Sequence, residues 1–299
     1  MSPEAQSLLN EWSPPIALDV IISLTAIFYF RGWLAIRRAS PNLLSIGRLA
    51  AFLASMFLLW VAIGSPLSAF DDASLTFHMI QHILLMMVIP PLVLLGAPAL
   101  PLLHGLPQSF VRAVLGPFLR WSPVQSLGKF LTHPLVCWIL AAIALIAWHV
   151  PSAFELALRS DFWHEVEHVC FFSTSILFWW PVIQPFPSEA RWPRWFIPLY
   201  LFFGMFPGSA LGAFLVFCDR VLYPSYLQAP ALFSITPLTD QIIAGALMWV
   251  LGMFVCLIPA VIVTLKLLSP RVSLPGAALS SPSLFPSKEY FSAHPPSQL

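Results

Sequence analysis

Thr76 to Gly96 reads TFHMIQHILLMMVIPPLVLLG, 21 residues without one Asp, Glu, Lys or Arg. That is long enough for one helical membrane crossing. Two histidines, His78 and His82, sit in its first two turns. At four-residue spacing they lie about 40° apart on one helical face, with Cβ atoms roughly 6 Å apart. Met86 extends that stripe by a turn. Pro90 and Pro91 then remove two backbone donors, which frees the carbonyls of Met86 and Met87 and predicts a kink. Imidazoles inside a membrane helix are costly unless they have partners. The remaining chain therefore has to supply those partners.

The composition agrees with a membrane setting. Of 299 residues, 59% are hydrophobic and 9% charged, against about 25% charged in soluble domains. The fold class expected is an all-α, polytopic membrane helical bundle. The net charge of +1 and the absence of a dense basic stretch exclude a phosphate track, so no nucleic acid is expected as partner. Cys137, Cys170, Cys218 and Cys256 stand singly, without a Cys-x-x-Cys pair, and read as small packing residues. The N-terminal MSPEAQSLLNEWSPP is acidic and has no basic n-region, so the first helix is expected to be retained.

Seven transmembrane helices are predicted, at Ile16–Ile36, Ile46–Gly64, Thr76–Gly96, Pro134–Val150, Phe162–Ile183, Trp195–Cys218 and Gln241–Leu268. Arg31 and Gly32 interrupt the first. Alternate connections carry unequal Lys/Arg. Arg31, Arg37, Arg38 and Arg48, then Arg112, Arg120 and Lys129, then Arg191 and Arg194, and finally Lys266, Arg271 and Lys288 make twelve on one side. Arg159 and Arg220 make two on the other. The positive-inside rule then puts the N-terminus outside and the C-terminus in the cytoplasm. The expected location is the cell inner (cytoplasmic) membrane, multi-pass, with the lipid bilayer as a partner. The transmembrane domain is taken as residues 1–268. Within it FVRAVLGPFLRW, near 109–121, reads as a cytoplasmic surface helix interrupted by Gly116 and Pro117. Residues 269–299, rich in Pro and Ser, read as a disordered cytoplasmic tail.

Topology was assigned without histidine, so histidine positions carry independent weight. His78, His82, His149, His164 and His168 fall within about two turns of the outer boundary, and His104 and His133 fall on the other side. Single interfacial histidines commonly cap helices. Two i, i+4 pairs and a fifth on one side point instead to a metal site, since neutral imidazole is a common ligand. Five histidines exceed the four ligands of a tetrahedral ion, which leaves a spare, an orienting role or two ions open. Asp19, Asp71, Asp72, Glu165, Glu167 and Asp240 lie on the same side. They are read as solvated helix ends, as supports for imidazoles or as ligands. Asp240 is included in the candidate metal set. Met79, Met86, Met205 and Met248 are packing residues with soft thioethers.

His78-Met79-Ile80-Gln81-His82, Pro90-Pro91 and Gly96-Ala97-Pro98 resemble the signature of CtaG-type cytochrome c oxidase assembly factors. The likeness continues through His149-x-Pro151, His164-x-x-x-His168, Phe178-Trp179-Trp180-Pro181, Leu222-Tyr223-Pro224-x-Tyr226 and Asp240-Gln241 with Gly245, Met248, Trp249 and Gly252. It spans residues 15 to 268. The resemblance implies a non-enzymatic membrane assembly factor that supplies copper to a haem–copper oxidase subunit, with an extracytoplasmic copper donor protein as a further partner. It implies His78, His82, His149, His164, His168 and Asp240 as the residues involved. Two alternatives stand beside it. One is a b-type haem electron-transfer protein using the same histidines. The other is a copper transporter, which would need polar groups at several depths.

Overall fold

The computed structural model describes residues 3–187, 192–229 and 235–269. Among them the regular structure is helical throughout, with no strand. Six helices are long and apolar enough to cross a membrane. They are α1 (Ile16–Ala39), α2 (Ile46–Phe70), α3 (Leu75–Leu95), α5 (Asp161–Ile183), α6 (Phe196–Phe217) and α7 (Pro237–Leu268). The expected fourth span is the helix Pro134–His149, α4, with 16 residues. At 1.5 Å per residue that is about 24 Å, short of the hydrocarbon core. It passes as a seventh crossing only together with Ser122–Leu131, from which it bends by 72°. Pro134 marks the bend, because the residue before a proline leaves the helical region.

The exterior is apolar. Ile21, Phe57, Ile143, Val169, Phe217 and Leu265 are exposed, a surface suited to lipid rather than water. Residues Gln108–Arg120 are helical and present Phe110, Val114 and Phe118 outward. The expected break at Gly116 and Pro117 is absent. A π-turn over Val111–Leu115 widens the spiral just ahead of them, and the helix continues. Apart from Ser269, the expected tail lies outside the described residues.

α3 is the central element and packs against α2, α5 and α7. Its proline pair has a local solution. A π-turn at Leu84–Val88 precedes Pro90, and the Met86 carbonyl that Pro90 cannot serve accepts from the Trp179 indole of α5 at 3.2 Å. The kink is thus tied to its neighbour by the hydrogen bond it would otherwise lack.

α6 and α7 cross at Gly212 and Gly245. A Cβ on Gly212 would meet the Gly245 carbonyl oxygen at 2.8 Å, and one on Gly245 would meet the Leu215 Cβ at 2.7 Å. Only glycine permits that approach. Gly32, which looked like an interruption of α1, plays the same part. Its Cα faces the backbone of Ala99–Gly105 so closely that any side chain would collide with the Pro101 carbonyl.

A candidate metal centre between three helices

Local sequence signals put five imidazoles in one place. α4 ends at His149 because Val150, which precedes Pro151, is extended with ψ 128°. α3 starts at Leu75, and its first amides are capped from another helix. Asp240 of α7 accepts from Leu75 N at 2.7 Å, Thr76 N at 3.2 Å and Ser74 Oγ at 3.0 Å. This fixes the start of α3 one turn before His78. α5 carries His164, Glu167 and His168 at i, i+3 and i+4, one face of one helix.

The rings converge. His78 and His82 have centroids 4.2 Å apart, and His164 and His168 are 4.3 Å apart. Across the helices His78 stacks on His164 at 5.3 Å, while His82 meets His168 at 5.7 Å and His149 at 6.3 Å. Glu167 lies between the two α3 histidines. Its Oε2 is 3.9 Å from His78 Nε2 and its Oε1 is 3.9 Å from His82 Nε2. Single donor atoms of His78, His82, His164 and Glu167 all lie within 4.8 Å of one another.

These groups have no other visible employment. His78 and Glu167 are 0% exposed and His82 is 2% exposed. Both nitrogens of His78 and of His82, Nε2 of His149, His164 and His168, and both Glu167 oxygens are buried without a hydrogen bond. A carboxylate removed from water with neither oxygen paired is strongly unfavourable unless a cation or a proton compensates. His149 adds a tautomer. Its Nδ1 lies 2.7 Å from the Leu145 carbonyl oxygen, which only accepts, so Nδ1 holds the proton and Nε2 carries a free lone pair. That arrangement is the usual one for a histidine ligand. The donor set, imidazole with one carboxylate, fits a transition-metal ion.

The surroundings exclude water and fix the rings. Phe154 sits 4.8 Å from His78, and Phe171 sits 4.7 Å from His82. Tyr223 stacks on Phe154 at 3.9 Å and donates to the His149 carbonyl, and Tyr226 donates to the Asp71 carbonyl. The connection bearing both tyrosines is pinned twice. Gln241 accepts from Leu222 N and donates to the Leu215 and Arg220 carbonyls. Glu155 accepts from Ser225 N at 3.0 Å and Ser225 Oγ at 2.6 Å. Asp71 Oδ2 stands 3.9 Å from His164 Nε2. Burial, and then the charge of Asp72, push the Asp71 carboxyl up to about 7, as expected where a carboxylate lacks a nearby cation.

All five candidate histidines therefore belong to the cluster. Asp240 does not join it as a donor, because both its oxygens are taken by the α3 cap. Glu167 takes the acidic place instead. Its sequence signal is the i+3 spacing from His164, which Glu165 lacks, and Glu165 is exposed. Asp19 sits on α1, which packs chiefly against Ala99–Gly105 and α2. His104 turns back on its own helix to the Leu100 carbonyl, and His133 packs on Trp192. Below His82 and His149 lies a cavity of about 60 Å³, lined in part by Met79, Met86, Met87, Met205 and Met248. It is far smaller than the several hundred Å³ that cofactor pockets occupy, which disfavours a haem beside these rings.

With this geometry in view, the comparisons with known proteins are specific. The sequence profile of the family described as cytochrome c oxidase caa3 assembly factor (Caa3_CtaG) matches residues 27–269. A Mycobacterium leprae (strain TN) protein is 30% identical over 242 residues, 77% of this chain and 36% of its own length. A Mycobacterium bovis protein is 28% identical over 260 residues, 83% of this chain and 38% of its own. Both are described only as uncharacterized proteins, and the chain spans little more than a third of their length. No solved structure matches.

Proposed function

We propose that this chain, which belongs to the cytochrome c oxidase caa3 assembly factor family, holds copper in its His/Glu cluster and yields it to a subunit of a haem–copper oxidase. The observation that carries the reading is Glu167, fully buried, unpaired and ringed by imidazoles with free nitrogens. A cation there satisfies the carboxylate and the lone pairs together. An oxidase assembly role and this donor set favour copper as the cargo, since imidazole suits it and Cu(II) outranks other first-row divalent ions at nitrogen sites.

In this reading the chain performs no chemical transformation. It carries no Gly-x-x-x-x-Gly-Lys-[Ser/Thr] loop for nucleotide-driven release. Transfer follows relative affinity once the acceptor's ligands reach the ion, and a copper donor protein outside the cytoplasm refills the site. The Lys/Arg asymmetry supports a position of the cluster at the outer face of the cytoplasmic membrane. A transporter reading gains nothing at the depths beyond the cluster, where the cavity lining is thioether, aromatic and aliphatic with two serines.

The test is a His82→Ala strain. Its oxidase should keep its haem and lack copper, while the assembly factor remains in the membrane at normal abundance. Copper-replete oxidase in that strain would refute the proposal.

A further inference from the structure

The cluster contains more metal-binding atoms than one tetrahedral or octahedral ion can use. Nine nitrogen and oxygen atoms on six residues lack hydrogen bonds there. A neutral imidazole offers one lone pair, so they supply at most seven ligand atoms, five nitrogens and both Glu167 oxygens. A tetrahedral ion takes four ligands and an octahedral one six. If one ion took the tight group of His78, His82, His164 and Glu167, the buried Nε2 atoms of His149 and His168 would stay orphaned. Each orphan of that kind is destabilising, because its lost hydration is not replaced. The leftover atoms are not scattered, because His149 and His168 both face His82.

Glu167 divides the donors into two groups. Its Oε2 faces His78, whose ring stacks on His164, and His164 in turn has Asp71 3.9 Å away. Its Oε1 faces His82, which is flanked by His168 and His149. Each group has two or three imidazoles and one oxygen of the same carboxylate. A carboxylate set between two histidine groups can bridge two ions, as in helical-bundle centres built from Glu and His on facing helices.

We infer that the cluster is a two-ion centre bridged by Glu167, with His78 and His164 holding one ion and His82, His149 and His168 holding the other. The inference rests on the metal-binding reading above and adds its stoichiometry. Asp71 completes the first group at its outer edge. The two groups differ in imidazole count, so the His82 group retains its ion against a competing chelator longer than the His78 group.

The experiment uses the full-length protein in detergent, loaded with Cu(II), desalted, and assayed for copper per chain and by electron paramagnetic resonance. Two neighbouring Cu(II) ions give a half-field line that a lone ion cannot give. The expected result is two ions per chain with that line. Glu167→Gln should remove the line and lower the ratio to one or less. Should Glu167→Gln fail to fold, His164→Ala at the cluster edge gives the second reading, falling from two ions to one with loss of the half-field line. One ion per chain in the wild type would overturn the two-ion inference and leave a single copper site standing. No bound copper in the wild type would overturn both.

Discussion

At the scale of single residues, the cluster separates polar groups left without hydrogen bonds from groups that position the helices. Asp240 caps α3 through Leu75 N, Thr76 N and Ser74 Oγ. Asp240→Ala should cost about 1–3 kcal/mol for each buried donor left unpaired, lowering the thermal midpoint. The copper spectrum of the surviving protein should match wild type, since both Asp240 oxygens are committed to the α3 cap. An altered spectrum at unchanged stability would make Asp240 a ligand and contradict that role. The histidines were legible from spacing and side alone, because two i, i+4 pairs need no tertiary knowledge. The sequence reading left Glu167 open between a solvated helix end, a support for imidazoles and a ligand, and counted Asp240 in the candidate metal set. The structure leaves Glu167 bare among the rings and commits Asp240 to the α3 cap. Which carboxylate is capped and which is left bare depends on how α7 leans on α3, and no local pattern encodes that.

At the scale of elements, proline and glycine positions explain how the helices hold the site. Trp179→Phe keeps the ring but leaves the Met86 carbonyl without a donor. A loss of about 1–3 kcal/mol is expected, read as a lower thermal midpoint. Gly245→Leu should do more, because its side chain would enter the α6 backbone at the Gly212 crossing, separating α7 and its Asp240 cap from α3. The Tyr223–Tyr226 connection has a pH handle. Burial raises the Glu155 pKa, but the bonds from Ser225 and Arg159 outweigh it and hold the carboxyl below its usual 4.5. A depressed carboxyl contributes stability that is present above the unfolded pKa and lost as pH falls through the folded one. Hydrogen exchange at Ser225, corrected for its intrinsic rate, should therefore accelerate below about pH 4.5. Glu155→Gln should make that exchange fast and flat with pH. Span positions, the short α4 included, were readable from hydropathy, whereas its 72° bend from Ser122–Leu131 was not. A proline preceded by a turn looks the same in sequence whether the chain enters the membrane straight or obliquely.

At the scale of the molecule, twelve basic residues on one side and two on the other predict the bundle's orientation. Reporter fusions after Asp72 and Ser225 should behave as extracytoplasmic, and fusions after Gln125 as cytoplasmic. A cytoplasmic Asp72 fusion would invert the bundle and place the cluster on the wrong face for an outer copper acceptor. Helical class and membrane character were evident from composition, since 9% charge cannot clothe a soluble surface of this size. The bundle's interior was not, because lipid-facing and buried positions are equally apolar. Gly32 shows the difficulty. It looked like a flaw in the first span until the backbone of Ala99–Gly105 was found against it.

The central claim, that buried imidazoles and Glu167 bind copper, is tested most directly by X-ray absorption at the copper K edge of the purified, copper-loaded protein. The account predicts a first shell of nitrogen and oxygen with the outer-shell scattering of imidazole, abolished together with the bound copper in His82→Ala. A first shell dominated by sulfur, unchanged by His82→Ala, would place the metal among the methionines of the cavity below and contradict the account.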